Sequence, residues 1–374
     1  MIRRLSLKKI APHLIGLGLV LFVIHNPYQP FISYAFLPWI GLLMLVYGSL
    51  TILRDVTDWK QALGDKKVWI PLGVIALSIT SSGIIAWMEG RESIQYAYGT
   101  LATAVFLVGV YLSTRQAEYR AIFAVWSYVV VIEAVSIVLW GAFNGWKPNG
   151  GLVSPTNYDI ATGVIVFGVL VSPRDKQWWL GAIGAIGLLF SGSAEAIFLG
   201  IVMGVAILKE QGWSLKLNTS LMAVVAVAVL MLGLGIMTKA QHPIVERLQT
   251  ASVLNWSAPD MKALDKIIGY RLTHWQLTMP IKPLGYGYNM LKFYWGIPHN
   301  IILIIIEQSG ILAVLAWLWI AYLGIKQKST RLLWIGFVAL GVFDHFIWTQ
   351  AAPWMWAITG ATIGKEVLNA NVDG

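Results

Sequence analysis

Two polar side chains, His299 and Asn300, stand at the start of an apolar run that is long enough to cross a bilayer, and Glu307 lies within that run. Burying an ionisable side chain at membrane depth costs about 2.5 kcal/mol or more, so such residues usually face a polar cavity and mark a functional site. An imidazole with a pKa near the ambient pH removes a proton efficiently from a hydroxyl as a new bond forms. His299 is therefore a candidate catalytic base, with a hydrogen-bonded interfacial anchor as the alternative.

A second polar cluster precedes this run. Arg271, His274 and Trp275 are spaced i, i+3 and i+4, so on a helix they share one face. The guanidinium of Arg271 can bind phosphate oxygens of a substrate in a bidentate manner, which is a typical use of arginine. It can equally extend from the membrane surface to the phosphate of a bulk lipid. These residues alone leave both interpretations open.

The segment that positions this cluster is a long connection at residues 238–299. The sequence SAPD at 257–260 predicts a helix start with Ser257 as N-cap and Pro259 in the first turn. Apolar residues then recur at helical spacing up to Pro280, which predicts one amphipathic helix at the membrane surface. These apolar residues are Met261, Leu264, Ile268, Leu272, Trp275 and Met279.

A Pro- and Gly-rich turn, KPLGYGYN at 282–289, follows the predicted helix and can bring its backbone close to a ligand. His299 comes just before the next apolar run. Within that run, Asn300, Leu303, Glu307 and Gly310 form one stripe at i, i+3, i+7 and i+10.

The composition defines the class of protein that carries these residues. Hydrophobic residues make up 57% of the chain and charged residues 12%, and the mean hydropathy is +0.68. These values predict a polytopic, all-α membrane protein and exclude a soluble domain. The 19 tryptophans and 14 tyrosines fit rings that anchor helices at headgroup level, and the absence of cysteine excludes disulfides and thiolate metal sites.

About 12 runs of roughly 20 apolar residues have the length needed to span the hydrocarbon core. The first follows the basic stretch MIRRLSLKK, and because no small-residue cleavage site comes after it, we expect a retained first helix. We place the spans near 10–26, 31–53, 68–88, 94–112, 120–142, 158–173, 177–191, 194–208, 219–237, 300–323, 331–347 and 351–368.

The lysines and arginines predict the orientation of the chain, since basic residues near span ends are retained in the cytoplasm. With the N-terminus inside, the cytoplasmic tails and loops hold 18 of the 27 basic residues. The even number of spans then puts the C-terminus inside and the 238–299 loop outside. The net charge of +9 reflects this topology and contact with anionic lipids, so nucleic acid is not an expected partner.

Three segments of the outer loop and the following span together resemble the O-antigen ligase and O-antigen polymerase family of membrane glycosyltransferases, which have a GT-C type of fold. They are GYRLTHW at 269–275, KPLGYGYN at 282–289 and PHNIILIIIEQSG at 298–310. The family pattern has an arginine and a tryptophan on a loop helix, a PLGxG turn, and HN opening a helix that ends in a glycine. The pieces occur here in the family order, and the 12-span plan matches as well. SPTNYDIATG at 154–163 and DHFIWT at 344–349 agree more loosely.

The resemblance implies a single transmembrane glycosyltransferase domain in the bacterial inner membrane, with its active site facing the periplasm or the cell exterior. The donor would be an oligosaccharide on undecaprenyl diphosphate and the acceptor a hydroxyl, as on a glycan or on lipid A-core. Arg271 would bind the diphosphate and His299 would deprotonate the acceptor. Asn300, Glu307, His274, Tyr288 and His345 are the supporting site residues.

The chain departs from the family pattern at one position. Many relatives carry an arginine after a serine between the seventh and eighth spans, where this chain has Ala194 and Glu195. Arg247 or Lys282 could supply the missing second cation of the donor site, and the sequence does not choose between them.

Some glycosyltransferases of this architecture use a divalent metal held by acids in an early external loop. Here that loop, HNPYQP at 25–30, contains no carboxylate. Asp260 and Asp265 lie five residues apart, so a helix would not converge them on one ion. We therefore expect a reaction that needs no metal and no cofactor, and that is retained in excess chelator.

For several other polar residues, two roles are compatible with the sequence. Glu307 either orients a cationic partner inside the bundle or is a packing acid that stays protonated. Asp344 and His345 either join the same cavity or form a local interfacial pair, and Glu133 has no partner that the sequence identifies.

A multi-span transporter or a lipid-linked glycan flippase is the rival class, although the chain shows no internal repeat of the kind common in transporters. A non-catalytic scaffold of an envelope assembly is a third class. Within the enzyme class, a ligase and a polymerase would share the same motifs.

Overall fold

The computed structural model describes residues 2–23, 37–53, 66–90, 119–144, 151, 178–191, 243–267, 272, 275, 280–286, 300–326 and 331–343. All regular structure in these residues is α-helical, without a strand, which confirms the all-α prediction for this part of the chain. The helices are α1 (Ile2–Val23), α2 (Leu37–Leu53), α3 (Lys66–Met88), α4 (Tyr119–Phe143), α5 (Trp178–Ser191), α6 (Pro243–Val253), α7 (Met261–Ile267), α8 (Ile301–Lys326) and α9 (Arg331–Phe343).

Two of these segments, Trp69–Met88 in α3 and Ile301–Lys326 in α8, are long and apolar enough to span a membrane. Shorter apolar helical stretches lie at Ile10–Leu21, Trp39–Thr51 and Tyr128–Phe143. These features indicate a membrane protein. The predicted spans at 94–112, 158–173, 194–208, 219–237 and 351–368 lie outside the described residues, so the 12-span plan and the GT-C-like fold stay predictions.

The chain divides into two compact units, and the first comprises Met1–Val23, Leu37–Val125 and Trp275–Gly374. Within it α1 packs against α2, while α8 packs against both α3 and α9. The contact between α8 and α9 is aromatic: Trp317 and Trp334 meet edge to face, with ring centroids 6.3 Å apart. Both indoles are buried, so these two tryptophans are core residues and do not act as headgroup anchors. An indole fills a core as well as it fills an interface.

The second unit comprises Ile24–Phe36 and Trp126–His274. In this unit Glu133 of α4 is only 2% exposed. Its Oε2 accepts a hydrogen bond from Ser136 Oγ at 3.2 Å, one helical turn later. Glu133 therefore has a partner that the sequence analysis did not identify.

The start of the loop helix differs from the prediction. Ser257 is not the N-cap, because its N–H donates to Asn255 Oδ1 at 3.1 Å in a turn that precedes the helix. Asp260 is the cap of α7 instead: its carboxylate accepts from Lys262 N at 3.3 Å and its carbonyl accepts from Leu264 N at 3.0 Å. An aspartate next to a proline satisfies the free N–H groups of the first turn as well as a serine does.

The prediction of one uninterrupted helix up to Pro280 is also wrong. The N–H of Leu272 donates to Asp265 Oδ1 at 2.7 Å. In a continuous helix, residues seven apart are separated by about 10 Å along the axis, so this bond could not form. Arg271 and His274 lie outside the described residues, so the shared face of Arg271, His274 and Trp275 stays a prediction.

Candidate functional site

Helix α8 is interrupted at Gly310. The backbone there has φ 85° and ψ 173°, a conformation that only glycine adopts readily. The interruption removes the helical hydrogen bonds that cross it. The carbonyl of Glu307 and the N–H groups of Ile311 and Leu312 therefore need other partners, since unpaired backbone groups are costly at membrane depth.

Residues Lys282–Tyr286, here called the docked turn, supply those partners. The N–H of Tyr286 donates to the Glu307 carbonyl at 2.8 Å. The N–H of Ile311 donates to the Lys282 carbonyl at 3.1 Å, and the N–H of Leu312 donates to the Pro283 carbonyl at 3.4 Å. This part of the 238–299 connection is thus fastened to the middle of a candidate membrane span by three backbone hydrogen bonds.

Two glycines make this close approach possible. A Cβ at Gly285, where φ is 71°, would lie 2.5 Å from the Gln308 carbonyl oxygen and 2.7 Å from Gly310 N. A Cβ at Gly310 would overlap the Pro283 carbonyl and lie 2.5 Å from Gly285 N. Gly285 of the docked turn and Gly310 of α8 are therefore both needed for this contact, because a side chain at either position would collide with the other segment. The sequence analysis named Gly310 and quoted the turn that contains Gly285, but it did not predict that the two glycines touch.

The docked turn also forms one wall of a cavity of about 290 Å³, whose other wall is formed by Ile85 and Glu89 at the end of α3. Lys282 lines this cavity and its Nζ lies 3.9 Å from the centroid of the Tyr286 ring, a cation–π contact. Tyr286 Oη donates to the Pro280 carbonyl at 2.9 Å, which fixes the ring. An exposed ammonium is thereby held at the mouth of a cavity that also carries a carboxylate.

Sequence reasoning missed Glu89 and Tyr286. The only signal for Glu89 was its position directly after the third predicted span, at the end that was expected to face outward. Tyr286 lay inside a quoted motif, but a tyrosine in a glycine-rich turn is common and carries little information by itself.

Asn300 begins α8. Its Oδ1 accepts from Ile302 N at 3.0 Å and from Leu303 N at 3.2 Å, which is the geometry of an N-cap. Its Nδ2 donates to the Val342 carbonyl at 3.2 Å, near the end of α9. Asn300 therefore fixes the start of α8 against α9, directly beside His299.

We expect Asn300→Ala to lower the stability of the protein by about 1 kcal/mol, because the cap of α8 and the bond to Val342 are both lost. Asn300→Asp keeps the capping oxygen and removes only the Nδ2 donor, so it should lower the stability by less. Thermal unfolding of the detergent-solubilised protein measures both changes. Equal melting temperatures for wild type and Asn300→Ala would contradict this role.

Polar side chains are buried at the interruption of α8. Glu307 is 2% exposed, Gln308 8% and Ser309 0%. Two of their atoms, Gln308 Oε1 and Ser309 Oγ, lack a hydrogen-bond partner within the part of the chain that the structure describes. Consecutive residues of a helix point about 100° apart, so these three side chains do not converge on one ion. Both interpretations of Glu307 remain open.

Arg247 lies in the second unit, on α6. The neighbouring Glu246 forms an ion pair with Lys266 of α7 at 2.7 Å. The hydrogen bond from Lys266 and its charge, followed by the charge of Arg247, hold the pKa of Glu246 below its usual value. A carboxylate with a lowered pKa stabilises the folded state above its ordinary pKa and loses this effect as the pH falls through the lowered value. The ion pair between α6 and α7 is therefore fully charged at neutral pH and weakens only in acid.

The remaining predicted site residues lie outside the described residues: Arg271, His274, Tyr288, His299 and His345, together with Ala194 and Glu195 at the turn after the seventh span. No group of three or more His, Asp or Glu side chains within the described ranges could hold a metal ion. Metal independence stays a prediction.

Comparisons with known proteins gave no match to a protein-family model, to a curated protein or to a solved structure. Membership of the O-antigen ligase and polymerase family stays a prediction that rests on the three quoted segments.

Proposed function

We propose that the protein is a membrane glycosyltransferase that moves a glycan from undecaprenyl diphosphate to an acceptor hydroxyl on the extracytoplasmic face of the bacterial inner membrane. One observation carries the proposal. Two of the three segments behind the family resemblance, the KPLGYGYN turn and the span that begins with PHN, bond to each other through three backbone hydrogen bonds that surround the contact between Gly285 and Gly310. The two segments thus form one structural unit, which gives a physical reason why they occur together in the sequence.

In the proposed reaction, the bond between the anomeric carbon of the glycan and the diphosphate oxygen breaks, and the leaving undecaprenyl diphosphate keeps the electron pair. The acceptor oxygen forms the new bond to that carbon, and its proton passes to the imidazole of His299. Charge then builds up on the diphosphate. Arg271 and a second cation would stabilise it through charge-assisted hydrogen bonds, without a metal ion.

We assign Lys282 as that second cation. Its ammonium is exposed and lines the cavity beside the docked turn, where a diphosphate could approach it. Arg247 lies beside the carboxylate of Glu246, and Lys282 shares its cavity with Glu89, so the assignment rests on the access that this cavity gives to Lys282. An ammonium held over a tyrosine ring is also restricted in position, so less entropy is lost when it binds an anion.

Lys282→Ala is expected to raise the KM for the diphosphate donor by about 10-fold or more, because a hydrogen bond to a charged group contributes about 1.5–3 kcal/mol. Lys282→Arg should have a KM close to that of wild type, since the positive charge is kept. Lys262→Ala, which removes an exposed lysine from α7, is the matched control and should leave the KM unchanged. Steady-state transfer kinetics with purified protein measure all three, and equal KM values for Lys282→Ala and Lys262→Ala would count against the assignment.

One observation favours the rival class of a transporter or flippase. Interrupted membrane helices with buried polar residues recur at transporter binding sites, and α8 has both features at Gly310. A proteoliposome assay that follows a fluorescent lipid-linked glycan separates the two classes. A transferase forms glycosylated acceptor and releases polyprenyl diphosphate, whereas a flippase moves the labelled lipid between leaflets without forming a product.

A further inference from the structure

Helix α4 carries a buried acid that the proposed reaction does not use. Glu133 lies within the apolar stretch Tyr128–Phe143 and is 2% exposed. The opposite face of this stretch is open, since the side chains of Ile132, Val135 and Leu139 are 54%, 49% and 52% exposed. An ionisable residue on the buried face of an apolar helix is costly unless it is paired, so its partners indicate its role.

The chain that follows α4 covers Glu133. Glu133, Ser136 and Ile137 are spaced i, i+3 and i+4, so they form one patch on the helix. Gly151 is buried, and a Cβ added to it would overlap Ser136 Oγ and lie 2.9 Å from Glu133 Oε1 and 3.0 Å from Ile137 Cγ1. Glu133 lies about 15 Å along the helix axis before Phe143, the last residue of α4. The chain has therefore turned back along α4 by the time it reaches Gly151.

The contact at Gly151 is polar as well as close. The hydroxyl of Ser136 donates to the Glu133 carbonyl at 2.8 Å and makes a longer contact with Glu133 Oε2 at 3.2 Å. The other carboxyl oxygen, Oε1, lies next to Gly151. The backbone of Gly151 has φ 58°, a conformation that glycine adopts readily. A glycine at this position thus lets the backbone approach a carboxyl group and a hydroxyl group.

We propose that Glu133 and Ser136 form a latch, here called the α4 latch, that holds the returning chain against α4 at Gly151. The buried carboxyl group needs polar partners, and the buried backbone of the returning chain needs them as well. One contact serves both needs, so removing either side should release the other. The latch determines where the chain beyond residue 151 begins, and it does not depend on the proposed reaction.

Replacing the acid by an apolar residue separates the α4 latch from an acid that is merely tolerated. A tolerated acid predicts that Glu133→Leu raises the melting temperature, because the cost of burying a polar group in an apolar helix disappears. The latch predicts a lower melting temperature for Glu133→Leu. Glu133→Gln has the same shape and keeps an acceptor, so it should stay close to wild type. A melting temperature of full-length Glu133→Leu in detergent at or above that of wild type would overturn the proposal.

Hydrogen–deuterium exchange locates the effect within the chain. The amide of Gly151 should exchange at least 10-fold faster in Glu133→Leu than in wild type, and Glu133→Gln should keep the protection. Peptides from α8 should exchange equally in all three proteins, which excludes general unfolding as the cause. Equal exchange at Gly151 in wild type and in a folded Glu133→Leu protein would overturn the proposal.

A matched pair of glycine variants tests the other side of the contact and decides the question if Glu133→Leu does not fold. Gly90, just after α3, has a similar φ of 68°, but a Cβ there would meet no atom within 4 Å in the described part of the chain. Gly90→Ala and Gly151→Ala therefore share the backbone strain, and only Gly151→Ala collides with the α4 latch. Gly151→Ala should lower the melting temperature more and speed exchange at residue 151 by at least 10-fold. Equal effects of the two substitutions would overturn the proposal.

Discussion

Replacing Gly310 by alanine should reduce glycan transfer by about 100-fold or more while the protein still inserts into the membrane. A Cβ at this position would overlap the Pro283 carbonyl, and alanine would also have to adopt a φ of 85°. Backbone strain of this kind costs about 1–3 kcal/mol, and the docked turn would have to move away to relieve the overlap. A displacement of about 1 Å at a site is enough for a 100-fold loss of rate.

The chain offers a control for this experiment. Gly73 lies in α3, the other candidate span, and a Cβ there would meet no atom within 4 Å. Gly73→Ala should leave transfer unchanged and stabilise the helix slightly, because alanine is the better helix former. Gly285→Ala should reproduce the loss seen with Gly310→Ala.

A double variant provides a further check, since the docked turn and α8 touch at Gly285 and Gly310. The double variant should lose no more activity than either single variant, because one substitution already separates the turn from α8. Full activity in Gly310→Ala, with normal expression, would show that the contact between the turn and the span has no part in the reaction.

Replacing His299 by alanine should lower the kcat of glycan transfer by about 100-fold to 10,000-fold, which is the usual contribution of a general base. Donor binding should change little, because the proposed role of the imidazole begins with the acceptor hydroxyl. The wild-type rate of glycan transfer should fall towards acidic pH as the imidazole becomes protonated. The residual rate of His299→Ala should not fall in this way.

An anchoring histidine predicts a different result. If His299 only holds the chain at the interface, its alanine variant should have a lower melting temperature and an unchanged kcat with an unchanged pH profile. His13→Ala, which removes an exposed histidine from α1, controls for the general effect of losing an imidazole. A kcat within a factor of two of wild type for His299→Ala would exclude the role of catalytic base.

The helices could be predicted where an apolar run was long and uninterrupted. The run predicted at 300–323 corresponds to α8 at Ile301–Lys326, and the run at 68–88 corresponds to α3 at Lys66–Met88. At the first span the prediction began at residue 10, whereas α1 begins at Ile2, because a hydropathy scan omits the basic residues that a helix can readily include.

The interruption of α8 could not be predicted from its own sequence. A glycine in a membrane helix is common, and the helix is broken here only because the docked turn supplies hydrogen bonds from about 25 residues earlier in the chain. The burial of Trp317 and Trp334 was missed for a related reason. In a membrane protein both the core and the lipid-facing surface are apolar, so hydrophobicity alone does not tell which face a tryptophan occupies.

The site stays a prediction. The sequence analysis proposed Lys282 and Arg247 as candidates for the second cation, and the cavity beside Lys282 is the reason for our assignment. Glu89 was missed because it lies nearly 200 residues before the docked turn, and only the packing of α3 and α8 in one unit brings the two together.

Reconstitution of the purified protein with an undecaprenyl-diphosphate oligosaccharide and a panel of acceptors tests the central claim most directly. The proposal predicts that wild type releases undecaprenyl diphosphate and forms a glycosylated acceptor in excess chelator, and that Lys282→Ala requires more donor to do so. Donor that stays intact with every acceptor, with or without added magnesium, while the protein remains folded and binds lipid, would contradict it.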